Sequence, residues 1–417
     1  MHKQLNERDK RRISLIFTLI LAMDFINYMI GEWFDTGGMI FSLALLGAAM
    51  LYSYKTIIKI KISPLAWAFM IYVILLYVTT RQVTRTTLFG RVFMFSFLAV
   101  SILAMYKCDT EKLLRYMSYV SLFPWLFYND IFVEMTSTQY NTGVSLGLSY
   151  AIFPLLVAPI FHFCFYRKQA KKYMYILYAL AVFLLVNLML KGNRGIMVSA
   201  ITAAALIFIR GGGDKRRSGA SMIRIVIVAV VAIICVANFY EIVEWAYDYL
   251  NERNINANFF KKILSLQKRG DISNGRNFIY EYTIKEIFEK PFWGHGISTI
   301  FDNSGGRIVY PHNLILQLFY DGGAVLAIPV SLVICSAVAY AFIGEDREEA
   351  LFSMFLLVVC LPRAMFSADI WRTESLWLFV LHSMKYHQIR KERKTRLTAA
   401  DAEHIDEETA ITEGATE

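Results

Sequence analysis

The sequence predicts an all-α polytopic membrane protein of about 12 transmembrane helices, and three observations predict it. Of its 417 residues, 56% are hydrophobic and only 18% are charged. The apolar residues fall in blocks of about 15–22, near the ~20 residues a helix needs to cross the hydrocarbon. The alternating segments of ~10 residues that build a membrane β-barrel are absent.

The expected spans follow in order. They cover residues 13–30, 39–54, 64–79, 92–106, 119–135, 145–166, 173–190, 196–209 and 225–240, then 325–343, 351–361 (extending to about 365) and a short last one at 376–384. The first follows a basic start, HKQLNERDKRR, and no small-residue cleavage site ends it, so it is expected to remain a span. Basic loops such as KTIIKIK, RKQAKK and RGGGDKRRSGASMIR alternate with less basic ones and, together with the two terminal segments, carry most of the 43 Lys and Arg. The positive-inside rule then puts both termini in the cytoplasm. Residues 1–240 carry nine spans, 241–323 form one large extracytoplasmic loop, and 324–384 carry the last three spans. The charged tail 385–417 has the composition of a disordered segment.

Several function classes lose support at this stage. The net charge of +9 belongs to the basic cytoplasmic face and implies no nucleic acid. Five scattered cysteines, with no CxxC spacing, read as packing residues. No Walker loop or Rossmann fingerprint is present. No internal repeat is visible, which argues against an inverted-repeat transporter.

A few charged residues break the membrane pattern. Arg81, Arg85 and Arg91 make a basic loop on the outer side, where the rule disfavours one. Lys191 and Arg194 occupy the short turn KGNRG, and Arg363 and Arg372 flank the last outer loop. Singly, each reads equally well as a cation snorkelling to the headgroups. Together they suit a phosphate or diphosphate, which guanidinium groups grip bidentately. Asp24, Asp130 and Glu134 lie toward span ends and read as solvated or locally paired acids. His162, in a Phe-rich run, reads as a satisfied core histidine.

The organising stretch runs from Asn274 to Gly323. It begins NGRNFIYEYTIKEIFEKPFWGHGIS and ends YPHNLILQLFYDGG. Residues 281–290 have helical composition, and Pro291 ends that helix. Gly294 and Gly296 permit a tight turn around His295. His312 and Asn313 stand at the start of another helix, 314–320, which Asp321-Gly322-Gly323 breaks. A histidine at a helix start is more often a cap than a catalyst. Trp245, Tyr247 and Tyr249 suit the interfacial aromatic belt.

These motifs resemble the O-antigen ligase and Wzy-type polysaccharide polymerase superfamily. The likeness lies in Asn274-Gly275-Arg276 with Phe278, in Pro291-x-x-Gly294-x-Gly296, in His312-Asn313, and in Gly323 ten residues on. The turn around Arg194 is similar to the superfamily's Ser/Asn-Arg-Gly turn. One position departs: Leu326 stands where ligases often carry Gly, Thr or Tyr.

The resemblance implies a GT-C-like membrane fold and transfer of a glycan from undecaprenyl diphosphate to a sugar hydroxyl on the outer face of the cytoplasmic membrane. The donor is already activated, so no cofactor and no metal is implied. Arg194 and Arg276 would meet the leaving diphosphate, and His312 would take the acceptor's proton. Lys191, Arg81, Arg85, Asn313 and His295 would line the substrate, with His295 the weaker alternative base. Single displacement would invert the anomeric centre. The implied partners are the undecaprenyl-diphosphate-linked glycan, membrane lipid, a flippase and a chain-length regulator. Repeat-unit polymerase is the preferred reading over ligase, because of Leu326. A lipid-linked glycan transporter ranks third.

Overall fold

The computed structural model describes residues 7–33, 38–57, 64–80, 104, 108–127, 142–191, 194–211, 218–255, 257–270, 275–344 and 346–384. Among them the secondary structure is helical throughout. In chain order the main helices are α1 (Glu7–Trp33), α2 (Gly38–Tyr52), α3 (Pro64–Thr79), α4 (Thr110–Val120), α5 (Thr142–Tyr166), α6 (Met174–Lys191) and α7 (Arg194–Arg210). There follow α8 (Ser218–Ala237), α9 (Phe239–Asn251), α10 (Asn258–Lys268), α11 (Arg276–Glu289), α12 (Leu314–Ile343), α13 (Arg347–Phe366) and α14 (374–384).

Four of these are long and apolar enough to cross a membrane: Glu7–Ile30, Gly147–Gln169, Leu314–Phe342 and Arg347–Phe366. Shorter apolar helices run through Pro64–Thr79, Met174–Leu190 and Gly195–Arg210, and α8 with α9 makes a pair bent by 79°. The described residues therefore make an all-helical membrane protein fold. The expected span at 92–106, residue 104 excepted, and residues 128–135 of that at 119–135 lie outside the described residues. So do Asp130, Glu134 and the tail from 385.

The centre of the bundle is aromatic. Phe17 stacks on Phe352 at 5.5 Å, and Phe161 meets Phe355 edge-on at 5.5 Å. Trp371 stacks on Trp377 at 4.8 Å. These rings join α1, α5, α13 and α14 through the large apolar area they remove from contact with the surroundings. His162 is fully buried here, with Nδ1 2.7 Å from the Tyr178 hydroxyl and Nε2 3.2 Å from Glu111. It is the satisfied core histidine that its surroundings predicted.

The polar contacts gather into two layers. In the first, Thr56 Oγ1 donates to Asp9 Oδ1 at 2.8 Å, Ser14 Oγ to the Asp109 carbonyl at 3.0 Å, and Thr110 Oγ1 to the Glu348 carbonyl at 2.8 Å. Tyr166 Oη donates to Glu348 Oε1 at 2.9 Å. In the second, Tyr72 Oη donates to the Gly322 carbonyl at 3.4 Å, and the Ile297 amide to Thr80 Oγ1 at 3.2 Å. Arg363 pairs with Asp24 at 2.6 Å, the local pairing expected of that acid. Each layer joins only segments that the alternation of spans puts on one side.

Two segments fold differently from expectation. The stretch KCDTEKLLR, which falls between the expected spans 92–106 and 119–135, lies largely within helix α4. Its i, i+1, i+4 residues Leu113, Leu114 and Met117 are fully buried, and Asp109 caps it by accepting from the Lys112 amide. An amphipathic helix carries too many charges to register as an apolar block. The helix break at residues 321–323 narrows to Gly323 alone, with φ 61° and ψ −163° inside α12.

Candidate functional site

The long segment between α8 and the bilayer portion of α12 is built from helices. The first pair, α9 and α10, packs through Val243, Phe259, Phe260 and Ile263. The second pair, α11 and the first turns of α12, carries the site. Ile279, Tyr282 and Ile287 of α11 pack with Ile300, Ile308 and Tyr320.

The Pro-x-x-Gly-x-Gly turn locks this second pair at one end. His295 N donates to the Tyr320 carbonyl at 2.7 Å, and Gly296 N to the Asp321 carbonyl at 2.9 Å. In return, Ala324 N donates to the Pro291 carbonyl at 2.8 Å and Val325 N to the Phe292 carbonyl at 3.2 Å. The backbones approach so closely that a Cβ on Gly323 would lie 2.2 Å from the Phe292 carbonyl carbon. One on Gly294 would lie 2.6 Å from the Gly323 nitrogen. Both glycines also hold positive φ, the region that disfavours side chains. The motif is thus a main-chain clasp around the kink.

His295 belongs to this clasp. Its ring stacks on Tyr320 at 4.8 Å, and Nε2 lies 2.8 Å from the Glu286 carbonyl. It satisfies an end carbonyl of α11, a requirement every helix C-terminus has.

At the other end of the pair stand Arg276 and His312. Gly275, at φ 78°, lets α11 begin at Arg276. Asn313 caps α12, its Oδ1 accepting from the Ile315 amide at 3.0 Å and the Leu316 amide at 3.1 Å. Such a cap typically contributes about 1 kcal/mol. With Asn313 doing the capping, His312 is released from that role. It is held at φ 56°, a left-handed conformation that carries strain and recurs at functional sites.

The imidazole is half-buried, and its buried Nδ1 has no hydrogen-bond partner among the described residues. Burial, with the Arg276 charge close by, pushes its pKa down to about 4. At neutral pH it is an uncharged base beside a guanidinium. Tyr310 packs on it, ring centroids 4.1 Å apart.

The last outer loop closes the site from another side. Gln317, on α12, donates from Nε2 to Asp369 Oδ1 at 2.8 Å and accepts from the Ile370 amide at 3.1 Å. Trp371 Nε1 donates to Asp321 Oδ2 at 2.6 Å. Burial pushes the Asp369 carboxyl above the usual carboxylate range, against the hydrogen bond from Gln317. Tyr310 Oη reaches the Ser367 carbonyl at 3.4 Å. The Tyr310 hydroxyl feels Asp369, Arg276, Arg363 and Arg372 together.

The structure therefore brings Arg276, His312 and Asn313 to one end of the α11–α12 pair and His295 to the other. Arg194 is the first residue of α7, and Lys191 the last of α6. Arg81 and Arg85 lie outside the described residues. Tyr310, Gln317, Asp369 and Trp371 were not anticipated as parts of the site; the DIW of the last loop is a polar break in an apolar stretch, the one signal available for it.

An apolar helical bundle that brings a histidine and an arginine to one end of a helix pair has the make-up of a membrane protein. Residues 179–331 match the family model described as O-antigen ligase, which supports the resemblance to the O-antigen ligase and Wzy-type polymerase superfamily. The match takes in Lys191, Arg194, Arg276, His295, His312 and Asn313. Members of that family transfer glycosyl groups, which supports an enzyme of that broad kind. No curated protein matches the chain.

Proposed function

We propose that this protein polymerises undecaprenyl-diphosphate-linked oligosaccharide repeat units on the outer face of the cytoplasmic membrane. The observation that carries this reading is a neutral, half-buried imidazole, His312, next to the guanidinium of Arg276. A base and a fixed cation are the two groups that glycosyl transfer from a lipid diphosphate requires.

In the proposed step, an acceptor sugar hydroxyl attacks the anomeric carbon of the donor. The new C–O bond forms as the bond to the diphosphate breaks, and its electron pair leaves with the lipid diphosphate. Arg276 and Arg194 meet the charge that develops there. The hydroxyl proton passes to His312, which the protein keeps uncharged until then. A diphosphate beside Arg276 offsets the positive charge that depresses His312, so donor binding strengthens the base. Single displacement inverts the anomeric centre. Lys191, Arg81, Arg85 and Asn313 are assigned to substrate contacts. His295 is committed to the clasp, which argues against its use as a base.

A ligase that transfers finished glycan to lipid A–core or another acceptor is the second reading, favoured by the description of the matched family. Leu326 supports the polymerase: it is buried and packs against Gly322, a packing role where ligases often carry Gly, Thr or Tyr. Deleting the gene and separating the surface glycan by size tests both. A lost polymerase leaves single repeats on the acceptor. A lost ligase leaves none there, while polymer collects on undecaprenyl diphosphate. An unaltered glycan refutes both.

A further inference from the structure

The lipid-facing edge of α12 continues onto the turn that clasps it. Only 33% of the apolar stretch of α12 is buried inside the bundle, against 61–83% for the other three long apolar helices. Val325, Ile328 and Leu332, spaced i, i+3, i+7, are 40–64% exposed. In a membrane protein, an apolar helix face left uncovered by neighbouring helices meets acyl chains.

This edge does not end at the kink. The Val325–Phe292 and Ala324–Pro291 backbone bonds bring the turn against the start of the bilayer portion of α12. Phe292 and Trp293 are 66% and 71% exposed there, and Phe288, one turn earlier at the end of α11, is 78% exposed. Three aromatic side chains left so open in water would form an association-prone patch. At the boundary between acyl chains and headgroups, the same rings occupy the zone that suits them best.

We propose that Phe288, Phe292 and Trp293 form a membrane foot: they insert into the interfacial zone of the leaflet that the lipid-facing edge of α12 enters. The foot stands at the clasped end of the α11–α12 pair. Arg276 is at the opposite end of α11, about 20 Å away along the helix axis. The pair therefore registers the site against the leaflet by helix length and not by loop conformation. The occupant of the surface is lipid because the patch is continuous with a face that must contact lipid.

The test uses the full chain in nanodiscs containing phospholipids brominated near the headgroup. Tryptophan fluorescence is compared for the wild type and Trp293→Phe, with Trp293→Tyr as a second subtraction. The difference signal, which belongs to Trp293, is expected to be strongly quenched by the brominated lipid and weakly by aqueous iodide. Quenching by iodide without quenching by the lipid overturns the proposal. So does a Trp293 signal that responds to soluble repeat-unit oligosaccharide but not to lipid, which would make the patch a glycan platform. No turnover is measured, so the outcome stands apart from the fate of the glycosyl-transfer reading.

Discussion

Tyr310 and His312 form one unit: their rings lie 4.1 Å apart at an angle of 50°, and the Tyr310 hydroxyl ties the unit to the Ser367 carbonyl. The imidazole is thereby oriented by packing, with no hydrogen bond fixing its Nδ1. Tyr310→Phe keeps the ring and loses one long hydrogen bond, so turnover is expected to fall by roughly tenfold at most. Tyr310→Ala removes the wall and is expected to lower kcat about 100-fold with little change in donor KM. Polymer formation in proteoliposomes from purified lipid-linked donor measures both. Wild-type turnover by the alanine variant would show that Tyr310 does not position His312.

Arg276→Ala, Arg194→Ala and His312→Ala are each expected to lower kcat by on the order of 10²–10³, the usual effect of losing a preorganised donor or a general base. Arg276→Lys is expected to recover little, because lysine keeps the charge but loses the planar fork. Single-turnover rates on normally expressed protein make the comparison. A variant that keeps full activity removes its residue from the mechanism.

The pH profile follows from the depressed pKa of His312. Its folded value of about 4 lies below the ~6.5 of an unfolded histidine. The free enzyme therefore keeps an unprotonated base from pH 8 down to about 5, and kcat/KM is expected to show no acidic limb near 6.5 that His312 controls. Stability carries the matching sign. Between pH 6.5 and 4 the unfolded chain takes up a proton that the folded site refuses, so stability falls across that window. His312→Asn is expected to remove that part of the fall, as read by thermal denaturation in detergent. A histidine-dependent limb at pH 6.5 would contradict the burial described here.

Gly323→Ala is expected to be among the most destabilising single changes in the protein. The added methyl meets the Phe292 main chain at 2.2 Å, and the positive φ adds its own strain, on the order of 1–3 kcal/mol. Gly294→Ala should act alike. Gly305→Ala is the control: it too has positive φ but open space around the site of the methyl. Thermal midpoints in detergent should rank Gly323 and Gly294 well below Gly305.

Trp371→Phe keeps most of the stacking on Trp377 and removes the donor to buried Asp321. Asp321 keeps hydrogen bonds from Gln317 and the Ser298 backbone, so the loss of this one bond is expected to cost about 1 kcal/mol. The expected result is a lowered melting temperature, with activity reduced because the last loop is no longer held against α12. Adding Asp321→Asn should not restore both.

Much of this was legible in the sequence because the signals were local. Apolar blocks marked the bundle, Pro291 ended α11, and Asn313 before LILQLF marked the start of α12. His162 and Asp24 were read as satisfied groups, and the structure gives each its partner. What stayed hidden depends on residues far apart in the chain. No spacing shows that Gly294 and Gly323 meet, since the contact is between main chains 29 positions apart. The capping by Asn313, which frees its neighbour His312, needs backbone angles to be seen. Gln317, Asp369 and Trp371 read as ordinary polar or aromatic residues until the last loop folds against α12.

The clasp has a consequence for how such a protein can change. The chain leaves it at Gly296 and returns to the capped helix at Asn313. Between them, Asn303, Gly305, Gly306, Arg307 and Val309 are exposed, while Ile300 and Ile308 are anchored beneath. The clasp's own bonds are between main-chain atoms; of the tip's side chains, Asn303 donates to Tyr320 Oη and Arg307 covers the Phe278 ring, while Gly305, Gly306 and Val309 are exposed. The length and chemistry of the tip can therefore vary at positions such as Gly305, Gly306 and Val309 while the clasp keeps its main-chain bonds.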